Sequence, residues 1–258
     1  MKPVGKVIFA LVLAAVAVQP SWSDPLLIVA DEWPQMEILA AFLQEKGGYS
    51  IEKVEQNGLP DDLSGYAGVF EFVHGSLLDS TAERLIRYAQ HGGRVIVLHH
   101  GISQRKAETK GWFEVLGMKL DGRPEAQSRY TWIHDADVML VNLQPRHYIT
   151  SHQVTYPKTV EYTPSDAPSA PGDYPALEFA QSEVFLNHQF TDGREKTVLF
   201  GVRYTDPKSG TLWMQDRGGW YKPVGHGWIF YFTPGHTVED FQQSAYCQII
   251  WNCLTWKP

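Results

Sequence analysis

Short apolar runs that alternate with helix-like segments constrain this chain more than any other feature. Residues 26–30 and 95–98 are apolar on both faces of a strand, and amphipathic segments at 34–46 and 81–90 precede or follow such runs. Strands of this kind, separated by helices, are typical of a mostly parallel sheet covered on both sides. We therefore predict a doubly wound α/β domain. The looser, alternating pattern over residues 122–163 predicts antiparallel strands appended to the sheet.

Histidines follow two of the predicted strands. His99 and His100 come directly after the run at 95–98, and His236 follows the run at 228–232. Open α/β sheets keep their ligand sites at the carboxyl ends of their strands. Histidine titrates near neutral pH, so it can act there as an acid, a base or a metal ligand. His236 also precedes a predicted helix, capped by Thr237 with Asp240 three residues on, and we expect the positive helix end to favour a neutral imidazole.

Composition and charge limit the class of protein to which this chain can belong. The chain has 258 residues, a net charge of −7 and 43% hydrophobic residues, which suits one globular domain over residues 24–258. An acidic chain lacks the basic face that nucleic acid requires. Residues 1–23 combine two lysines, an apolar stretch and small residues, which predicts a cleaved signal peptide, a secreted or periplasmic protein and no stable membrane insertion. Cys247 and Cys253 are predicted to be unpaired core residues of the last helix.

Several segments together resemble the ThuA-like family, which is named for trehalose utilisation and is related to class I glutamine amidotransferases. They are Gly92-Gly93 with the strand ending at His99, the segment 182–185 with Glu183, Trp213, and the stretch 225–236. The match spans the predicted mature chain. It implies a flavodoxin-like or class I glutamine amidotransferase-like fold. The family's His-Pro-Ile-Thr-like segment has two candidates here, at 147–150 and 152–155.

The resemblance also implies a function. Neither cysteine lies near the strand end where amidotransferases hold their nucleophile, so glutamine hydrolysis through a thiol is not expected. Related proteins are associated with carbohydrate breakdown, including that of oxidised (3-keto) sugars. Acid–base elimination, hydrolysis or isomerisation of such a sugar would then use His99 or Glu183 as base and His236 as acid, with the roles open to exchange.

Other residues could contribute to the same pocket, and other functions fit it. The further candidates for substrate binding are His100, Trp213, Trp33, Glu71, His74 and His188. Two histidines and a carboxylate could hold a divalent metal, although no close ligand motif is present and no cofactor is certain. A sugar-binding protein without catalysis is the main alternative. A glycosidase is a third, pairing Glu183 with Asp31, Glu32 or Glu71. The sequence does not indicate an oligomeric state.

Overall fold

A computed structural model describes residues 24–120, 129–165, 170–193 and 195–258 of the chain. The predicted signal peptide at 1–23 lies outside these residues. So do residues 121–128, where the predicted antiparallel region begins, and residues 166–169. Among the helices described, none is long and apolar enough to cross a membrane.

Within the described residues, one sheet of ten strands organises the fold. The strands of these residues, including two outside that sheet, are β1 (Leu26–Ala30), β2 (Ile51–Val54), β3 (Gly68–Phe72), β4 (Arg94–Leu98), β5 (Met118–Leu120), β6 (Thr131–Asn142), β7 (Lys158–Tyr162), β8 (Gly172–Leu186), β9 (His188–Phe190), β10 (Thr197–Thr205), β11 (Leu212–Val224) and β12 (Gly227–Phe232). Their order in this sheet is β2-β1-β3-β4-β12-β11-β10-β6-β8-β7, while β5 and β9 form a separate pair.

The prediction of a mostly parallel sheet is only partly right. Strands β2, β1, β3, β4 and β12 are parallel and follow the 2-1-3-4-5 order of flavodoxin-like sheets. The remaining pairs, from β12–β11 to β8–β7, are antiparallel. The reason is connectivity: β10, β11 and β12 follow one another through short turns, and a short turn can join only antiparallel neighbours.

Helices cover both faces of the parallel part. They are α1 (Pro34–Gly47), α2 (Asp79–Gln90), α3 (Trp112–Leu116), α4 (Tyr148–Ser151), α5 (Val238–Gln242) and α6 (Ser244–Thr255). In β1, Leu26 and Ile28 share one core with Leu39 of α1, whereas Leu27 and Val29 pack with Leu85 of α2 on the other side. Alternate residues of one buried strand therefore serve two cores, as a doubly wound fold requires.

Two helices differ from what the sequence predicts. The apolar positions of residues 106–116 predict one helix, but the structure reduces it to α3, because Gly111 adopts a left-handed backbone (φ 73°) and Lys106 is buried, where it donates hydrogen bonds to the carbonyls of Val73 and Gly75. The terminal helix is divided in two at Gln243, whose backbone is extended. The predicted capping box of Thr237 and Asp240 is confirmed at the start of α5. Both cysteines are free and buried in α6, as predicted.

Candidate functional site

The candidate site lies where the parallel and antiparallel parts of the sheet meet. His99 and His100 follow β4, and His236 follows the neighbouring parallel strand β12. Glu183 comes from β8 in the antiparallel part. Three elements that are distant in sequence thus deliver four side chains to one place. The sequence predicted both strand ends, and the family resemblance supplied Glu183.

The side chains converge on one carboxylate oxygen. Oε2 of Glu183 lies 3.1 Å from Nε2 of His99, 3.1 Å from Nε2 of His100 and 3.3 Å from Nδ1 of His236. Nδ1 of His134, on β6, approaches the other oxygen, Oε1, at 3.6 Å. The side chains of His99 and Glu183 are 0% and 2% exposed, whereas those of His236 and His134 are 27% and 54% exposed. The cluster is therefore closed at its base and open on one side.

Local backbone geometry holds His99 in this orientation. Its φ of 47° is uncommon for a residue with a side chain. Its Nδ1 lies 2.7 Å from the carbonyl oxygen of Thr233, to which it donates, and the Tyr231 hydroxyl donates to the His99 carbonyl at 3.2 Å. Gly235, with φ 146°, passes so close that a Cβ there would lie 2.9 Å from the His99 Cβ. The Nε2 atom is therefore aimed at Glu183 by contacts with the end of β12.

Asp240 links the two chain segments that carry Glu183 and His236. Its buried Oδ2 accepts hydrogen bonds from Ser182 Oγ at 2.7 Å and from the Gly235 backbone N–H at 2.9 Å. Ser182 precedes Glu183, and Gly235 precedes His236. One carboxylate beneath the cluster thus fixes both chain segments that carry these two residues.

The charges of the cluster depend on one another. Burial works to raise the pKa of Glu183, but the nitrogens of His100, His236 and His99 outweigh it and hold that pKa well below its usual range. Burial lowers the pKa of His100 to about 3. The pKa of His236 is raised, chiefly by its contact with Glu183. The helix end was expected to lower the pKa of His236, whereas the contact with Glu183 raises it.

A second layer of charged groups borders the cluster. The His74 ring lies 4.0 Å from the His100 ring, and its Nδ1 is 3.1 Å from Oε1 of Glu32. Asp31 accepts from the backbone N–H groups of His74 and Gly75. Glu71 is fully buried, and burial raises its pKa to about 7. The structure therefore brings His74 against the cluster, while Glu71 has no exposed surface through which to reach a substrate.

The structure shows how the other predicted residues pack. Trp33 is half-buried just before α1 and packs on the core beneath that helix. Trp213 packs in a cluster with Val184, and Val184 points to the opposite face of β8 from Glu183. His188 is buried in β9, with its ring 5.9 Å from that of Phe190. Their part in substrate binding stays a prediction.

Two residues of β6 that the sequence analysis missed lie beside the cluster. His134 contacts Glu183, and its ring centre is 5.3 Å from that of His236. Trp132, two residues before it, is 49% exposed and is paired across the strands with Phe185, whose ring is 5.0 Å from the His99 ring. The alternation Tyr130, Trp132, His134 was the available signal, since alternate residues of a strand share one face.

The four central side chains could also hold a cation. One ligand atom from each of His99, His100, Glu183 and His236 can be chosen so that all four lie within 4.8 Å of one another. Imidazole nitrogens and a carboxylate oxygen are ligands for divalent transition metals. The arrangement is thus compatible with proton transfer and with metal binding.

Comparisons with known proteins agree with this fold. A putative ThuA-like protein from Bacteroides uniformis ATCC 8492 superposes with a TM-score of 0.56 at 13% identity, covering 93% of this chain and 94% of that one. A protein from Salmonella typhimurium LT2, described as cytoplasmic, gives 0.54 at 12% identity, covering 90% and 98%. A GH42 β-galactosidase from G. stearothermophilus gives 0.53 at 11% identity, with 92% of this chain covering 31% of that enzyme.

These identities establish similarity of fold alone. A comparison with curated proteins finds no significant match. The model of the ThuA family, described as trehalose utilisation, matches residues 27–257, which is nearly all of the described chain. The predicted resemblance is confirmed, and the chain belongs to the ThuA family.

Proposed function

We propose that this protein processes a sugar that has been oxidised to a ketone, such as a 3-keto disaccharide, by proton transfer at the cluster around Glu183. The observation that carries the proposal is the convergence of His99, His100, His134 and His236 on one buried carboxylate that is open on one side. Membership of a family described as trehalose utilisation supports a carbohydrate as the substrate class.

The chemistry requires a base beside a carbon that is next to a carbonyl group. In a 3-keto glycoside, the ketone acidifies the C2–H bond. A base removes that proton, the electron pair forms the C1–C2 double bond, and the C1–O bond to the second sugar breaks. The departing oxygen takes up a proton, which gives an unsaturated keto sugar and a free alcohol. Addition of water to the double bond completes a net hydrolysis. If C2 is instead protonated on its opposite face before the C1–O bond breaks, the product is the C2 epimer, which is an isomerisation.

Exposure suggests which histidines perform these steps. His99 and Glu183 were the predicted bases, but both side chains are almost fully buried. His134 and His236 are the more exposed members, and Glu183 contacts both. We therefore assign proton removal from carbon to His134, which can return the proton to the departing oxygen. His236 faces the ketone oxygen, and Glu183 with His99 orients the group.

Trp132 is suited to hold the sugar ring. Its side chain is half-exposed on the same face of β6 as His134, and Tyr130 on that face has its ring 6.1 Å away. A flat aromatic surface beside the reacting groups can pack against the apolar face of a pyranose. We expect Trp132→Ala to raise KM about 5–10-fold, equivalent to about 1–1.4 kcal/mol, with a smaller change in kcat.

The test compares the purified protein with His134→Ala, His236→Ala and His91→Ala. His91 is an exposed histidine at the end of α2, before β4 begins, and serves as the matched control. Each protein is incubated with 3-keto trehalose and with trehalose, and products are identified by mass and NMR. We expect the wild-type protein to turn over the keto sugar and not trehalose. The turnover rate should fall by about 100-fold or more in the two site variants and stay unchanged in the control. Binding without turnover would favour the sugar-binding alternative.

We also propose that the protein acts outside the cytoplasm after removal of residues 1–23. The support is the order of two lysines, an apolar stretch and a small-residue segment in that part of the sequence. Fractionation of producing cells, with N-terminal sequencing of the product, tests this. A mature N-terminus at Asp24 in the exported fraction is expected, and an intact N-terminus in the cytoplasmic fraction would contradict it.

A further inference from the structure

We infer that His99, His100, Glu183 and His236 form a binding site for one divalent first-row transition metal ion, with zinc the first to test. The inference concerns binding and stands on the ligand geometry. Its catalytic consequence rests on the proposed function, in which the ion would face the ketone oxygen.

The distances between the ligand atoms fit a metal ion at their centre. Zinc binds imidazole nitrogen at about 2.0–2.1 Å and carboxylate oxygen at about 2.0–2.2 Å, so neighbouring corners of a tetrahedral site are about 3.3–3.5 Å apart. The three nitrogens lie 3.1, 3.1 and 3.3 Å from Oε2 of Glu183. All four ligand atoms fall within 4.8 Å. Small movements of side chains would complete the coordination.

Hydrogen bonding alone satisfies this cluster poorly. A carboxylate oxygen offers about two lone pairs, yet three imidazole nitrogens face Oε2. Within the described residues, Oε2 of Glu183, Nε2 of His99 and Nδ1 of His236 are buried and form no hydrogen bond of good geometry. Buried polar atoms without partners are costly. A cation between them would pair all of these atoms at once.

The hydrogen bonds around His99 are those that usually orient a metal-binding histidine. Metal-bound histidines usually donate their second ring N–H to a carbonyl or carboxylate, which fixes the ring and leaves the other nitrogen free for the ion. His99 makes this contact through Nδ1 to the Thr233 carbonyl, at 2.7 Å. The Asp240 hydrogen bonds to Ser182 and Gly235 in turn hold the segments bearing Glu183 and His236.

The ligand set leaves one histidine for proton transfer. His134 lies on the Oε1 side of Glu183, outside the four converging atoms, and is more than half exposed. An ion held by the three other histidines and Glu183 has no open tetrahedral position, so it would stabilise negative charge on the ketone oxygen by taking that oxygen as a fifth ligand. His134 would then remain the base.

Metal binding is measured without substrate. The protein is stripped with a chelator, dialysed and titrated by calorimetry with Zn²⁺, Mn²⁺ and Ni²⁺, and metal content is measured by mass spectrometry after reloading. Absorption of the Co²⁺-loaded protein reports the coordination geometry. We expect about one ion per chain, with affinity at least about 100-fold weaker in His100→Ala and His236→Ala, and unchanged in His91→Ala.

The outcomes separate this inference from the proposed function. Circular dichroism identifies any variant that fails to fold. His236→Ala changes a half-buried loop residue, so it provides a variant that retains the fold. Absence of stoichiometric binding, or equal affinity in wild type and folded His236→Ala, overturns the metal site. Binding without turnover upholds the metal site and overturns the function. Turnover by the stripped protein, with no ion bound on reloading, upholds the function and overturns the metal site.

Discussion

Asp240→Ala gives the sharpest test of how the site is held. Removing the carboxylate leaves Ser182 Oγ and the Gly235 N–H without their buried acceptor. Each hydrogen bond to a charged group contributes about 1.5–3 kcal/mol, and loss of the α5 capping box adds about 1 kcal/mol. Allowing for relaxation around the shortened side chain, we expect the free energy of unfolding to fall by about 3–5 kcal/mol.

Urea denaturation followed by circular dichroism and tryptophan fluorescence measures this change. Glu239→Ala, at the exposed neighbouring position in α5, is the control and should change stability by no more than about 0.5 kcal/mol. Asp240→Asn keeps one acceptor oxygen and should fall between wild type and alanine. A loss below about 1 kcal/mol in Asp240→Ala would refute the reasoning, because it would mean that these buried donors do not depend on Asp240.

Two further predictions concern the packing around the site and the pH dependence of stability. Gly101→Ala would bring a Cβ against Val97 and the Glu71 carboxylate, so we expect a loss of about 1–3 kcal/mol, measured by urea denaturation; wild-type stability would contradict the close contact. Burial lowers the pKa of Lys196 to about 8. Between pH 8 and about 10.4 the unfolded lysine therefore holds a proton that the folded protein has lost, and stability rises with pH through this window. Lys196→Met should lack this rise in the same denaturation assay, and parallel pH curves for the two proteins would count against it.

The parallel part of the fold was predictable because its signals are local. A buried strand such as β1 is apolar on both faces, and α1 begins at a proline and ends at glycines. The antiparallel part was harder, since β6 and β8 are long, half-exposed strands with irregular pairing. Their alternation is weaker than a continuous apolar run, and their partners are distant in sequence.

The site was predictable to the extent that strand ends mark it. His99, His100 and His236 follow β4 and β12, so topology alone places them at one edge. His134 was missed because it lies within a strand, and its proximity to Glu183 depends on the β6–β8 register. The pKa of His236 was predicted in the wrong direction for the same reason. The helix end is visible in the sequence, whereas the carboxylate 3.3 Å away comes from another strand.

The position of β12 between the two parts of the sheet has a consequence for folding. This strand is parallel to β4 on one side and antiparallel to β11 on the other, and His236 follows it, while Glu183 lies beyond β10 and β6. A partly folded chain with only one part of the sheet formed would therefore lack the cluster. The four side chains come together only when nearly the whole sheet has formed. A ligand bound there would therefore protect backbone amides throughout the sheet from hydrogen exchange.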